Sequence, residues 1–177
     1  MTQPHPPGHL TDRDFPSDAD KWEFLRRAPE IDRTERKIRE LAAGLWEATG
    51  RDPRAFAELA HAYARDVILY MTDTEQFGGE DIAPAGALGD VLDRKVDDCD
   101  AKARLFVALC RAVGLQAEMV PHWSDGGRRL AHVSAKVQVR GAWLPVELTL
   151  ARARLGEEPH DVPRDVTGHW NLNEARI

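Results

Sequence analysis

The sequence predicts an α+β fold, with helices in the first two thirds of the chain and a small antiparallel sheet after them. Apolar residues between positions 17 and 113 recur at helical spacing. The pattern switches to period two after Gly114. Between the two regimes, Cys99 stands where a nearly all-apolar helix begins, so one chemically active side chain marks the join. With 177 residues, 42% hydrophobic and 31% charged, the chain suits one domain with a sizeable core.

Residues 1–16 are Pro-rich and polar and read as an extended arm. Ser17 is the expected cap of a short helix carrying Trp22 and Leu25 and ending before Pro29. Asp32 is the expected cap of the next helix. Its Ile38, Leu41, Ala42, Leu45 and Trp46 form one apolar stripe, stopped at Gly50. Asp52-Pro53 then supplies a cap and a first-turn proline. Phe56, Leu59, Ala60, Tyr63, Val67 and Tyr70 mark a third helix of about five turns.

Residues 72–87, with Gly78, Gly79, Pro84 and Gly86, read as a loop. A short helical piece with Leu88, Val91 and Leu92 leads to the Cys99 helix, which ends at Gly114. That helix is apolar nearly all round, so a central, covered position is expected. Residues 116–123 form a first strand, and Ser124-Asp125-Gly126-Gly127 a turn. Val133, Ala135, Val137 and Val139 alternate with His132, Ser134, Lys136 and Gln138 in the second strand. Arg140-Gly141 is the next turn, with a partner strand over residues 142–150. Taken together, the domain spans residues 17–158, and 159–177 are an irregular tail.

Several function classes drop out early. The net charge is −6 and no sustained Lys/Arg stripe occurs, which argues against nucleic acid as a partner. Basic residues over 26–39 are interleaved with Glu30, Asp32 and Glu35, a solvated helix face. No apolar run approaches membrane-spanning length, and Met1 to His9 do not read as a secretory signal. Cys99 and Cys110 on one straight helix lie roughly 16 Å apart along its axis, too far for a disulfide. The absence of a disulfide framework fits a reducing, cytoplasmic location. Neither cysteine has a close-spaced ligand partner for zinc. The acids between Asp90 and Asp100 lack the glycine-centred loop of an EF-hand. No metal or cofactor is expected.

A thiol at a helix N-terminus lies beside unpaired backbone N–H groups and the positive end of the macrodipole, and both favour the thiolate. Asp97, Asp98 and Asp100 oppose this by like-charge repulsion, or serve as first-turn caps. Such a nucleophile needs a base, and the base needs an orienting group. His132 lies on the polar face of its strand. If Arg140-Gly141 is a two-residue loop, Glu147 faces Ser134 and sits diagonal to His132, within side-chain reach. A loop one residue longer would put Glu147 on the other face. Cys110 reads as core packing. Trp143, His122 and Trp123 are candidates to line a substrate cleft, and Gln76 is a remote candidate oxyanion donor.

These motifs resemble the transglutaminase-like branch of the papain-like cysteine enzymes, over about residues 53–158. The resemblance rests on Asp98-Cys99-Asp100 at a helix start and on Ala108-Leu109-Cys110-Arg111-Ala112-Val113-Gly114-Leu115. It continues in the strand opening with His132-Val133 and in Trp143-Leu144-Pro145-Val146-Glu147-Leu148-Thr149. It implies a central Cys-bearing helix packed on a small antiparallel sheet, with Cys99 as nucleophile, His132 as base and Glu147 as orienting acid. The chain departs from the family pattern at Asp97 (usually Gly), Glu147 (usually Asp) and Ala101 (often Asp). The segment from Tyr70 to Pro84 and the run Gly156-Glu157-Glu158-Pro159 look like short members encoded in phages and prophages.

The resemblance implies acyl transfer at an amide of a protein or peptide substrate, by hydrolysis or cross-linking. The alternative is a non-catalytic structural or assembly protein on the same fold, such as a phage virion component. It would contact its partners through the N-terminal arm and the C-terminal tail.

Overall fold

The structure, a computed structural model, describes residues 2–157; the tail expected at 159–177 lies outside the described residues. Among the described residues there are six α-helices and five strands: α1 (Asp18–Asp32), α2 (Arg36–Ala48), α3 (Pro53–Ala62), β1 (Leu69–Tyr70), α4 (Asp73–Phe77), α5 (Gly89–Arg94), β2 (Val96–Asp97), α6 (Cys99–Ala112), β3 (Ala117–Ser124), β4 (Arg129–Val139) and β5 (Ala142–Val146). Of these, β1, α4 and β2 are additions to the expected order.

Helix α6 is the centre of the molecule. Every residue from Asp100 to Cys110 is buried. Helices α1 and α2 cover one side, and the antiparallel sheet β3-β4-β5 covers the other. The alternation of β4 explains the sheet side. Val133, Ala135, Val137 and Val139 are all nearly inaccessible and belong to the same apolar cluster as Leu105, Phe106 and Leu109. The helix stops at Gly114, whose φ of +85° no bulky residue adopts cheaply.

The hairpin between β4 and β5 sets the register on which the site depends. Arg140 and Gly141 both have positive φ, 53° and 84°, as a two-residue turn with the right twist requires. Val139 therefore pairs with Ala142 and Ala135 with Val146, the expected parity. A bulge between His122 and Trp123 leaves Ala131 without a register partner on β3.

Several elements differ from expectation, two of them for a clear tertiary reason. Helix α1 runs through Pro29 and ends at Asp32. Asp32 is therefore not the cap of α2; Glu35 holds that place. The extra turn carries the Asp32 carboxylate to Arg104, which it meets through both oxygens at 2.5 and 2.8 Å. A proline inside a helix costs about 3 kcal/mol. Leaving Arg104 charged and unpaired in the core would cost about as much or more, 3–5 kcal/mol.

The third helix is shorter than expected. After Ala62 it widens into a π turn, Tyr63–Val67, and Leu69–Tyr70 becomes a strand parallel to β2. The widened turn leaves the Arg65 and Ile68 carbonyls for the buried ammonium of Lys102. Residues 72–87 are not wholly loop. Thr72 caps α4 through a reciprocal pair with Glu75. The partner strand β5 ends at Val146 rather than at position 150.

The N-terminal arm runs along the edge of the domain. Leu10 bridges Ile82 by two backbone bonds, and the Gln3 amide meets the Gln76 carbonyl at 2.8 Å. His5 and His9 each place Nδ1 2.8 Å from a different oxygen of Asp81.

Breaking the Asp32–Arg104 pair should expose how much the fold rests on it. Asp32→Ala is expected to lower unfolding stability by about 3–5 kcal/mol in urea titrations. The double change Asp32→Leu with Arg104→Met should recover most of that loss.

Candidate active site

Three elements converge on Cys99. Helix α6 presents it at the first helical position, after Asp98 has capped the helix by accepting the Asp100 amide on Oδ1 at 3.1 Å. Strand β4 supplies His132, 2% exposed, and the chain just past β5 supplies Glu147, 1% exposed. His132 Nε2 and Glu147 Oε2 are 2.9 Å apart. Cys99 and the same imidazole line one cleft and interact electrostatically. Glu147 holds Nε2, and the other ring nitrogen, Nδ1, is buried as well.

Glu147 is fixed at both ends. Its Oε1 accepts from the amides of Leu148 (2.9 Å) and Thr149 (2.7 Å) and from the Thr149 hydroxyl (2.6 Å). Its backbone carbonyl accepts from Nε2 of the buried His61 at 2.8 Å. Burial pushes the His61 ring towards neutrality, which suits a plain N–H donor. Burial opposes ionisation of Glu147 too, but His132 and the Thr149 donors hold its carboxyl below the ordinary value. Burial likewise works against a charged His132. Its hydrogen bonds to Cys99 and Glu147, and their charges, outweigh that and push it up to about 10.

The cleft over Cys99 measures about 230 Å³. Besides Cys99 and His132 its walls include Lys21, Tyr70, Thr72, Glu80 and Arg129. Lys21 bridges Glu80 (3.0 Å) to Asp12 of the arm (3.2 Å), and those two acids raise its pKa despite burial.

The three residues expected to line a substrate cleft lie elsewhere. His122 stacks its ring on His132, centroids 5.3 Å apart, and meets the Ser134 hydroxyl at 2.8 Å. With Trp143 it lines a second cleft, of about 250 Å³, which Glu147 also lines but Cys99 does not. Trp143 is 39% exposed and carries the Lys136 ammonium over its ring at 4.7 Å. Trp123 pairs with Leu130 at the bulge and lines neither cleft. Gln76 spends its amide N–H on the Met71 carbonyl at 3.1 Å and does not line the Cys99 cleft. Cys110 is fully buried, and burial pushes its thiol well up.

Sequence reasoning missed the two supports of Glu147. Thr149 stands two residues on in the same motif, where a donor able to reach back was a readable signal. His61 lies 86 positions away, and nothing local marks it.

The chain belongs to the transglutaminase-like superfamily, whose model matches residues 39–148. No curated protein matches significantly. Among solved structures, a candidate protease from Parabacteroides distasonis aligns over 76% of this chain and 27% of its own, at 13% identity and TM-score 0.52. The periplasmic domain of TgpA from Pseudomonas aeruginosa aligns over 68% of this chain and 46% of its own, at 19% identity and TM-score 0.51. The chain thus spans about a quarter to a half of the structures it resembles, and at these identities the likeness is one of fold. Among the described residues no helix is long and apolar enough to cross a membrane.

The charge on Glu147 should govern both the acidity of His132 and the pH profile of stability. A raised histidine pKa contributes stability in full below the unfolded value, 6.5, and loses it as pH climbs towards about 10. Glu147→Gln should therefore cost about 3 kcal/mol in urea unfolding near pH 6 and progressively less towards pH 10. The His132 ring should titrate lower in the variant by NMR.

Proposed function

We propose that this chain is a cysteine acyl-transfer protein acting on amide bonds of a protein or peptide. The observation that carries the reading is the buried His132–Glu147 pair, in one cleft with a thiol that opens a helix.

The Cys99 sulfur attacks the substrate carbonyl carbon, forming a C–S bond as the carbonyl becomes an oxyanion. The Cys99 amide, in the first helical turn and without a helical acceptor, is a candidate donor to that oxyanion. His132 gives its proton to the leaving nitrogen, the C–N bond breaks, and a thioester remains. Water or an amine then attacks the thioester while His132 takes the incoming proton. Cys99 leaves as the thiolate, and His132 is again protonated. Glu147 keeps the ring turned with Nδ1 towards sulfur and balances the imidazolium. No cofactor takes part in this scheme.

Alkylation by iodoacetamide across pH tests the reading. One fast-reacting thiol is expected, lost in Cys99→Ser, retained in Cys110→Ala, and slowed about tenfold or more in His132→Ala. Labelled casein, incubated with and without a fluorescent primary amine, separates hydrolysis from transfer. Equally slow alkylation of both cysteines, with no turnover of either kind, would sink the proposal. A non-catalytic assembly protein on the same fold would then remain.

A further inference from the structure

A second imidazole lies against the site without lining the Cys99 cleft. Strands β3 and β4 pair so that His122 stands directly opposite His132. Partners across an antiparallel ladder project to one face, with Cβ atoms about 4.5–5.5 Å apart. The two rings stack, centroids 5.3 Å apart and planes inclined by 27°. Regular pairing runs through Val120 with Ser134 and His122 with His132, then shifts at the bulge before Trp123. His122 is thus the last residue of β3 that this register aims before the strand bends. Ser134, its diagonal neighbour, is buried, and the Ser134 hydroxyl lies 2.8 Å from Nε2 of His122. That hydrogen bond fixes the rotation of the His122 ring.

The stack restrains what the Glu147 bond cannot. Glu147 grips His132 at Nε2, 2.9 Å away, at the edge of the ring. A bond at one edge resists displacement along its own direction and resists tipping of the flat ring least. A second ring packed on the flat side resists that tipping, at a separation within the usual range of about 4.5–7 Å for aromatic pairs. His122 and Ser134 also line the second cleft, and His132 does not. The His122 ring therefore closes His132 off from that cleft. Water entering from that side would compete for the buried His132–Glu147 bond.

We propose that His122 is a positioning residue for the general base: its stacked ring holds the His132 imidazole in line between Glu147 and Cys99. The inference rests on the acyl-transfer reading and adds a fourth side chain to its machinery. His122 lies outside the Cys99 cleft, so it acts through His132 and not on the substrate. Its aromatic face does the work, and no proton passes through it. Ser134 serves as the anchor of that face. If the support is lost, His132 tips away, the sulfur loses its opposing positive charge and the thiol becomes less acidic.

Two variants of the full chain separate the ring from its hydrogen bond, read by the pH profile of iodoacetamide alkylation at Cys99. His122→Phe keeps an aromatic face and drops the bond to Ser134. His122→Gln keeps a polar group for Ser134 and drops the ring. In His122→Gln the midpoint of the profile should rise by about one pH unit, slowing alkylation below the midpoint about tenfold. The rate at the alkaline plateau, set by access to the thiolate, should stay within about twofold of the wild type. His122→Phe should keep the wild-type midpoint. Unreactive Cys110 reports an intact core in each variant; where His122→Gln exposes it, His122→Leu takes its place and should show the same rise. The proposal falls if the ring-free variant keeps the wild-type midpoint, if His122→Phe shifts as far as His122→Gln, or if only the plateau moves. A wild-type Cys99 that reacts no faster than Cys110, or that ignores His132→Ala, would defeat the acyl-transfer reading and this inference with it.

Discussion

Burying α6 on every side is possible only because Lys102 and Arg104 find oxygen partners in the interior. Lys102 is fully buried and Arg104 is 1% exposed, so neither can reach water. An unpaired ion in a protein core costs several kcal/mol, more than any one apolar contact returns. Arg104 is satisfied by Asp32 at the end of α1 and by the carbonyls of Ala83 and Pro84. Lys102 is satisfied by the carbonyls of Arg65 and Ile68 at the π turn. Burial still pushes it down to about 8. These partners belong to the segments that lead into the Cys99 cleft. Ile68 immediately precedes β1, and Ala83 and Pro84 follow Glu80 of the cleft wall. The two cations that make the helix expensive to bury also draw those segments in around its end.

The Glu147 departure from the family pattern is absorbed by where the residue sits. Strand β5 ends at Val146, so Glu147 is already off the ladder. Its carboxylate folds back onto the amides of Leu148 and Thr149 while the opposite oxygen reaches His132. An aspartate at the same backbone position is one methylene shorter and could not span both sets of donors without moving the chain. The longer side chain has more rotamer freedom to lose. Three donors on one oxygen and an imidazole on the other, in a buried setting, remove that freedom. The extra carbon therefore changes reach and leaves the carboxylate as tightly held.

Much of this was readable along the chain, because it is governed by local rules. Period-two alternation gave β4 its faces. The two positive-φ positions at Arg140 and Gly141 fixed the parity that brings Glu147 to His132. Asp98 before an apolar run marked the start of α6. What was not readable depends on partners far away. Pro29 signals a helix end by every local rule, but Asp32 is needed at Arg104. Tyr63 to Tyr70 kept helical spacing, yet Lys102 required carbonyls there and Val96-Asp97 offered a strand to pair with. The flanking aromatics Trp143 and Trp123 looked like cleft residues because they stand near His132 and Glu147 in sequence. Pleat and bulge turn them away from the sulfur.

The carboxylates around Cys99 look at first like an obstacle to a thiolate, but most of them are balanced one by one. Asp98 accepts the Asp100 amide, Asp97 is paired with Arg94, and Glu80 with Lys21. His132, held protonated by Glu147, faces the sulfur itself. Balanced pairs act over short range, since each carries its opposite charge with it and the remaining field is dipolar. Asp73 is the exception: among the described residues it has a single amide donor and no cation, and burial beside other acids pushes it up to about 9, which favours the neutral acid.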